Sequence, residues 1–151
     1  MKIHIVLDNI RSVFNVGSIF RSADGAGSVE KIYLCGMTSD IDNPKLEKTA
    51  LGAIDMVTSE HYDTTKEALD ELKEMKIPIY SIELTEDAEN FQEIDYPNEI
   101  GIVLGHEKNG IPEQILEYTD KRVMVPMRGK KESLNVANCA TTILYEITRE
   151  K

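Results

Sequence analysis

The 151-residue chain contains no tryptophan, only two cysteines and only three histidines. Cys35 and Cys139 lie inside apolar runs, so we expect reduced thiols in a cytoplasmic protein rather than a disulfide. The histidines form no H-x-x-x-H pair, and we expect no metal. No apolar run approaches the roughly 20 residues of a membrane span, and the chain opens without a signal-peptide pattern. We therefore expect no membrane contact.

The chain also lacks the G-x-G-x-x-G fingerprint of dinucleotide-binding folds. Gly17, Gly25 and Gly27 have the wrong spacing, and Gly17 falls inside a predicted helix rather than in the turn before it. A nicotinamide-dependent hydride transferase is therefore disfavoured.

Basic residues are scarce, and their distribution is uneven. The net charge is −10, but residues 60–120 carry 4 basic and 17 acidic residues, whereas residues 121–151 carry 7 basic and 3 acidic residues. Such a chain is not a nucleic-acid binder that relies on charge alone. A selective RNA-binding protein remains open.

Strand-like runs alternate with helical patterns, which predicts an α/β fold with a parallel sheet flanked by helices. A helix is predicted over Thr64–Met75, and Glu86–Asn98 is predicted to be a turn of helix and a surface loop. Because no linker or repeat appears, residues 1–151 are predicted to form a single domain. The five predicted strands are Ile3–Leu7, Lys31–Cys35, Ile77–Ile82, Ile100–Leu104 and Arg122–Val125.

The most informative segment is V-P-M-R-G-K-K-E-S-L-N, residues 125–135. A short strand is stopped by Pro126, a glycine loop follows, and an amphipathic helix is predicted from Asn135. An isolated Ser-x-Asn, here Ser133 and Asn135, is most often only a helix cap. A strand, a glycine loop and a helix start together favour a pocket for a small polar ligand.

Two further segments also place polar residues and glycines directly after a predicted strand. Residues 9–27 contain N-x-R followed by N-x-G-x-x-x-R-x-A-x-x-x-G, in which Asn15 is predicted to cap a helix that turns Arg21 away from the core. A single outward arginine is most often only solvated. Residues 105–111 read G-H-E-K-N-G-I and follow a buried strand, so a carboxylate, Glu107, lies in a glycine loop.

Taken in chain order, the three segments resemble the first, second and third signatures of the SpoU (TrmH-like) branch of the SPOUT RNA methyltransferases. A weaker family pattern, K-T-A-x-G-A, matches residues 48–53. The resemblance implies the SPOUT fold with a C-terminal trefoil knot over about residues 100–151. It also implies S-adenosylmethionine-dependent methylation of a ribose 2′-hydroxyl in RNA, with transfer RNA slightly favoured over ribosomal RNA. A catalytically silent RNA-binding relative and an α/β enzyme that uses another nucleotide remain as alternatives.

The resemblance also implies a homodimer in which Arg21 acts at the cofactor of the other subunit. There its charge is expected to lower the effective pKa of the ribose hydroxyl or to stabilise the developing oxyanion. Glu107 is expected to hold Arg21 or its own loop, and Gly105 to permit close approach of the cofactor. The expected catalytic residues are Asn15, Arg21, Glu107, Ser133 and Asn135. The expected cofactor-binding residues are Leu104, Gly105, Val125, Met127, Ser133, Leu134 and Asn135. RNA is expected to contact Arg11, Arg128, Lys130 and Lys131, and the dimer is expected to use Ala137, Asn138, Thr141 and Tyr145.

Overall fold

The computed structural model describes residues 1–150, which form a seven-stranded sheet whose strand pairs are all parallel. The order across the sheet is β3-β2-β1-β6-β4-β7-β5. The strands are β1 (Lys2–Asp8), β2 (Val29–Cys35), β3 (Ser59–Tyr62), β4 (Ile79–Ile82), β5 (Glu89–Asn90), β6 (Glu99–Leu104) and β7 (Lys121–Met124). The helices are α1 (Val13–Ala26), α2 (Glu47–Ala50), α3 (Thr65–Glu74), α4 (Glu113–Tyr118) and α5 (Val136–Ile147), with 3₁₀ turns at Ala53–Asp55 and Phe91–Glu93.

Helices cover both faces of the sheet, and each face has its own apolar core. On β1, Ile3, Ile5 and Leu7 pack with α1 and α5, whereas Val6 packs with α3 and α4. A strand buried on both faces has to be apolar at nearly every position, which is why β1 is a continuous apolar run. The predicted α/β fold is confirmed, and the trefoil knot stays a prediction.

The structure contains two strands that the sequence did not predict, and both lie at sheet edges. β3 reads Ser-Glu-His-Tyr, and only its last residue is buried. β5 has two residues and forms the opposite edge, within the segment predicted to be a turn and a loop. That segment also contributes Phe91 and Ile94 to the core. Edge strands are covered on fewer sides, so their sequences carry a weaker apolar pattern.

The helix predictions require three corrections. Ser12, not Asn15, caps α1, because its hydroxyl oxygen accepts the Asn15 backbone N–H at 3.2 Å. Met75, predicted to be the last residue of the helix and part of its buried apolar face, lies just beyond α3 and is 49% exposed. On α5, Ala137 is buried and Thr141 hydrogen-bonds Ser22 of α1, so neither residue belongs to the exposed helix face that was expected to form the dimer.

The strand order gathers the carboxyl ends of several strands in one place. β6 lies between β1 and β4, and β7 pairs with the far side of β4. In open α/β sheets, ligands bind beyond the carboxyl ends of strands where the strand order reverses. The loops after β4, β6 and β7 therefore surround the candidate site. No helix within residues 1–150 has the length and apolar character needed to cross a membrane.

Candidate active site

A cavity of about 390 Å³ lies between the loops after β4, β6 and β7 and the first turns of α1 and α5. This volume falls within the usual range for small-ligand pockets, about 300–1,000 Å³. All seven residues expected to bind the cofactor line it, as do Asn15 and Glu107. The remaining lining residues, which the sequence did not single out, are Ile82, Glu83, Leu84, His106, Lys108, Gly110, Val136 and Cys139.

Glu107 fastens the loop after β6 to the start of α1. One carboxylate oxygen accepts the Arg11 backbone N–H at 2.8 Å. The other accepts the Ser12 backbone N–H at 2.8 Å and the Asn15 side-chain amide at 2.9 Å. Glu107 therefore holds its own loop, one of its two expected roles, and within residues 1–150 no hydrogen bond joins it to Arg21 of the same chain.

A directed chain of hydrogen bonds continues from Glu107 to α5. The Asn135 side-chain oxygen caps α5 by accepting the backbone N–H groups of Ala137 at 2.9 Å and Asn138 at 3.2 Å. Its amide nitrogen must then point away from the helix, and it donates to the Asn15 side-chain oxygen at 3.2 Å. The Asn15 amide can in turn only donate, and Glu107 receives it. The helix cap thus sets the direction of both amides.

This chain of donors requires a group at its end that only accepts, and an ionised carboxylate has that property. Burial by itself would raise the pKa of Glu107. The hydrogen bonds from Arg11, Ser12 and Asn15 outweigh it, so the pKa lies below its ordinary value of 4.5. Glu107 is therefore charged at neutral pH and holds three segments of the cavity wall together.

Glu83, at the end of β4, fastens the other side of the loop after β6. Its carboxylate accepts the Ile111 backbone N–H at 2.8 Å and lies so close to Gly110 that a Cβ there would overlap its oxygen. The sequence offered one signal for Glu83, a carboxylate directly after a buried strand, and it was missed. The nearby thiol of Cys139 is neutral, because burial and the charge of Glu83 raise its pKa to about 11.

Gly105 has a packing role that the sequence did not predict. A Cβ at this position would lie 2.7 Å from both the Gly110 carbonyl carbon and the Ile111 backbone nitrogen. The absence of a side chain therefore lets the loop after β6 fold back on itself. Close approach of a cofactor, the expected reason for this glycine, stays a prediction.

Arg21 and the basic residues of the loop after β7 lie outside the cavity. Arg21 is exposed and lies six residues beyond Asn15, about 9 Å further along α1. Arg128, Lys130 and Lys131 are exposed and line no part of the cavity, and Arg11 lines a neighbouring groove. Ser133 lies at the cavity wall, as expected.

The cavity suits a nucleoside-containing ligand better than a metal ion. Leu104, Val125 and Leu134 supply apolar wall, and Asn15 and Asn135 supply polar side chains beside it. Within residues 1–150 there is no group of three or more His, Cys, Asp or Glu side chains that could hold a metal ion. The donor set and the volume fit S-adenosylmethionine, an adenosine joined to a polar amino-acid tail.

Comparison with known proteins agrees with this geometry. The model of the SpoU rRNA methylase family matches residues 2–145. A tRNA (guanosine(18)-2′-O)-methyltransferase from Thermus thermophilus is 31% identical over 147 residues, which cover 97% of this chain and 74% of that protein. A 23S rRNA (guanosine(2553)-2′-O)-methyltransferase from Bacillus subtilis is also 31% identical, over 95% of this chain and 56% of that protein.

A similar solved structure is the SpoU methyltransferase AviRb from Streptomyces viridochromogenes in complex with the cofactor AdoMet. It superimposes with a TM-score of 0.89 at 26% identity, covering 98% of this chain and 60% of that chain. The match to the family model spans nearly the whole sequence, and the three signature segments meet at one cavity. The chain therefore belongs to the SpoU rRNA methylase family.

Proposed function

We propose that this chain transfers a methyl group from S-adenosylmethionine to the 2′-hydroxyl of a ribose in RNA. The observation that carries the proposal is the convergence of the three signature segments on one cavity through the hydrogen bonds of Glu107, Asn15 and Asn135. The named activities of the relatives from Thermus thermophilus and Bacillus subtilis are of this kind. Transfer RNA stays slightly favoured over ribosomal RNA as the substrate, and a cytoplasmic location is part of the proposal.

The residues of this chain would contribute mainly position. S-adenosylmethionine, when bound, supplies the methyl group on a positively charged sulfur. Val125 and Leu134 would hold the adenine between apolar side chains, and Ser133 and Asn135 would orient the ribose that is methylated. Alignment of this kind accounts for much of the acceleration of such displacements, up to about 7–11 kcal/mol of the barrier. The rigid connection through Glu107 supports this role.

Arg21 would act on the site of the other subunit of a homodimer. It is exposed, and none of the hydrogen bonds or ion pairs found within residues 1–150 involves its side chain. An arginine stays protonated, so its contribution would be to stabilise the oxyanion that forms on the ribose. The exposed Tyr145 of α5 lies against α1 at Gly25, which adds a partly apolar patch beside the Arg21 face.

The first test is transfer of labelled methyl groups to total RNA, followed by mass spectrometry of the nucleosides. We expect 2′-O-methylated nucleosides with the wild-type protein and a loss of roughly 10²-fold or more with Arg21→Ala, while cofactor affinity stays near normal. Binding of S-adenosylhomocysteine with no methyl transfer to any RNA would favour the catalytically silent relative. Binding of NAD without S-adenosylhomocysteine would contradict both.

The second test separates the trans from the cis arrangement. Arg21→Ala and Asn135→Ala homodimers should each be nearly inactive, but a mixed dimer retains one intact composite site only if Arg21 acts in trans. Subunit exchange should then recover up to about a quarter of wild-type activity, since half of the dimers are mixed and each has one working site of two. Verified exchange without recovery contradicts the trans arrangement, and a monomer in light scattering contradicts the dimer.

A further inference from the structure

A second groove of about 480 Å³ lies beside the first turn of α1. It adjoins the cavity of the candidate active site, because Asn15, His106, Glu107 and Lys108 line both. The groove is completed by Arg11, Ser12, Val13, Phe14 and Lys45. A molecule in this groove would therefore lie next to a ligand in the cavity.

The groove is a positively charged region on an acidic protein. Within residues 1–150, no ion pair or side-chain hydrogen bond neutralises Arg11, Lys45 or Lys108, whereas Lys121 and Arg122 elsewhere are paired with carboxylates. Glu107 is the one carboxylate in the lining, and its oxygens already accept three N–H groups. The three cations are therefore available to an anionic ligand.

Phe14 gives the groove an exposed aromatic surface. Its side chain is 53% exposed, although it belongs to the first turn of a helix whose other apolar residues are buried or half-buried. Exposed aromatic rings beside cations are the usual combination in single-stranded nucleic-acid sites, where bases stack on the rings and phosphates bind the cations.

The groove is held in a fixed position relative to the cavity. Glu107 anchors the backbone of Arg11 and Ser12 on one wall. On the other wall, His106 Nδ1 accepts the backbone N–H groups of Lys108 and Asn109, each at 3.1 Å. Each wall is thus held by two hydrogen bonds from its backbone to a side chain, so a nucleotide bound here would be placed reproducibly beside the cavity.

We propose that this groove binds a nucleotide of the RNA substrate, with the base stacked on Phe14 and phosphates on Arg11, Lys45 and Lys108. The inference rests on the proposed function and adds the path of the RNA. The ribose that is methylated would reach the cofactor from the groove, past the residues that line both the groove and the cavity. It adds Lys45 and Lys108 to the residues expected to contact RNA, although Lys108 belongs to the acidic residues 60–120.

The test compares Phe14→Ala with Phe14→Tyr, which keeps a ring, on in vitro transcribed transfer and ribosomal RNA. Phe14→Ala should raise the KM for RNA about tenfold or more, the scale of one base stack, and Phe14→Tyr should restore most of it. Leu51→Ala, at another exposed apolar residue outside both cavities, should change nothing. Affinity for S-adenosylhomocysteine should stay unchanged in all three, which also reports correct folding.

The cations are tested with Lys45→Glu combined with Lys108→Glu. The slope of log affinity against log salt should fall by about 0.7 for each phosphate of single-stranded RNA that these lysines no longer neutralise. Lys2→Glu combined with Lys76→Glu makes the same charge change outside the groove and should leave the slope unchanged.

Three results would overturn the proposal. They are an unchanged KM for RNA in Phe14→Ala, equal losses in both pairs of lysine variants, and conversion of a dimer to a monomer by Phe14→Ala, which would assign the ring to a subunit interface. If the wild-type protein methylates no RNA, the proposed function fails, but RNA binding still tests the groove. Weaker RNA binding by the groove variants alone would then support it.

Discussion

Replacing Glu107 with glutamine tests the directed hydrogen-bond chain. The substitution keeps the size of the side chain but changes one acceptor oxygen into a donor. If the remaining oxygen faces Ser12 and Asn15, the new amide faces the Arg11 backbone N–H and one hydrogen bond is lost. If the oxygen faces Arg11 instead, the new amide faces two donors, the Ser12 backbone N–H and the Asn15 amide, and two hydrogen bonds are lost. Asn15 cannot simply turn over, because its oxygen already accepts from Asn135, which is held by the cap of α5.

The expected loss follows from the number of hydrogen bonds that disappear, one in the better orientation of the new amide and two in the other. A hydrogen bond to a charged group contributes about 1.5–3 kcal/mol net, but Glu107 is exposed and water can replace part of it, so about 1 kcal/mol each is appropriate. We therefore expect the free energy of unfolding to fall by about 1–2 kcal/mol. Since each 1.4 kcal/mol is a factor of ten, affinity for S-adenosylhomocysteine should fall at most about 30-fold.

Urea unfolding and calorimetric titration of S-adenosylhomocysteine measure the two quantities. Glu86→Gln, at an exposed carboxylate outside the cavity, serves as the control. Combining Glu107→Gln with Asn135→Asp should restore about 1 kcal/mol relative to the sum of the single changes. The carboxylate introduced by Asn135→Asp would still cap α5. If the Asn15 side-chain amide turned over, its nitrogen could donate to this carboxylate and its oxygen could accept from the amide introduced by Glu107→Gln. Strict additivity, or a Glu107→Gln protein of wild-type stability and affinity, would refute the directed chain.

Two more predictions concern pH and helix packing. The pKa of Glu107 is lowered in the folded protein, so the contribution of this carboxylate to stability is fully present above its unfolded pKa and is lost as the pH falls through its folded pKa. Calorimetry should show that the affinity for S-adenosylhomocysteine declines only below about pH 4.5. The decline should be weaker in Glu107→Gln. Gly17→Ala should lower the free energy of unfolding by about 1–3 kcal/mol, because its Cβ would overlap the Thr49 hydroxyl oxygen and lie 3.0 Å from the Ala50 nitrogen. In Gly25→Ala, in the same helix, the Cβ would lie 2.9 Å from the Tyr145 hydroxyl oxygen, but that oxygen ends an exposed side chain that can turn aside. This change should be neutral or stabilising by up to about 1 kcal/mol in the same urea titration, and equal effects at the two glycines would contradict the packing explanation.

The local sequence was sufficient to predict most of the helices and strands and the residues expected at the cavity. Buried strands such as β1 and β6 appear as apolar runs because helices cover both of their faces. The glycine loops after β6 and β7 were recognisable for a related reason, since a strand that runs into glycine and polar residues has few alternatives to a loop at a sheet end. All seven residues expected to bind the cofactor, from Leu104 to Asn135, line the cavity.

Other features were decided only by the tertiary structure. Asn15 was expected to cap its own helix, but its side chain bridges Glu107, 92 positions away, and Asn135, 120 positions away. Gly17 is packed under Thr49, which explains why a glycine is present inside a helix. Such partners depend on the order of the strands, and no periodicity in the sequence encodes that order.

The same reason explains the groove and the position of Arg21. Phe14, Lys45 and Lys108 belong to three separate segments, each unremarkable in the sequence. They follow β1, β2 and β6, and the placement of β1 between β2 and β6 brings them together. The outward direction of Arg21 followed from helical spacing alone, because that spacing is local. Its distance from the cavity did not, because it depends on how α1 lies against the strands that carry the site. The sequence thus determined the elements and the chemistry of their loops, while the packing of distant segments determined which side chains share a site.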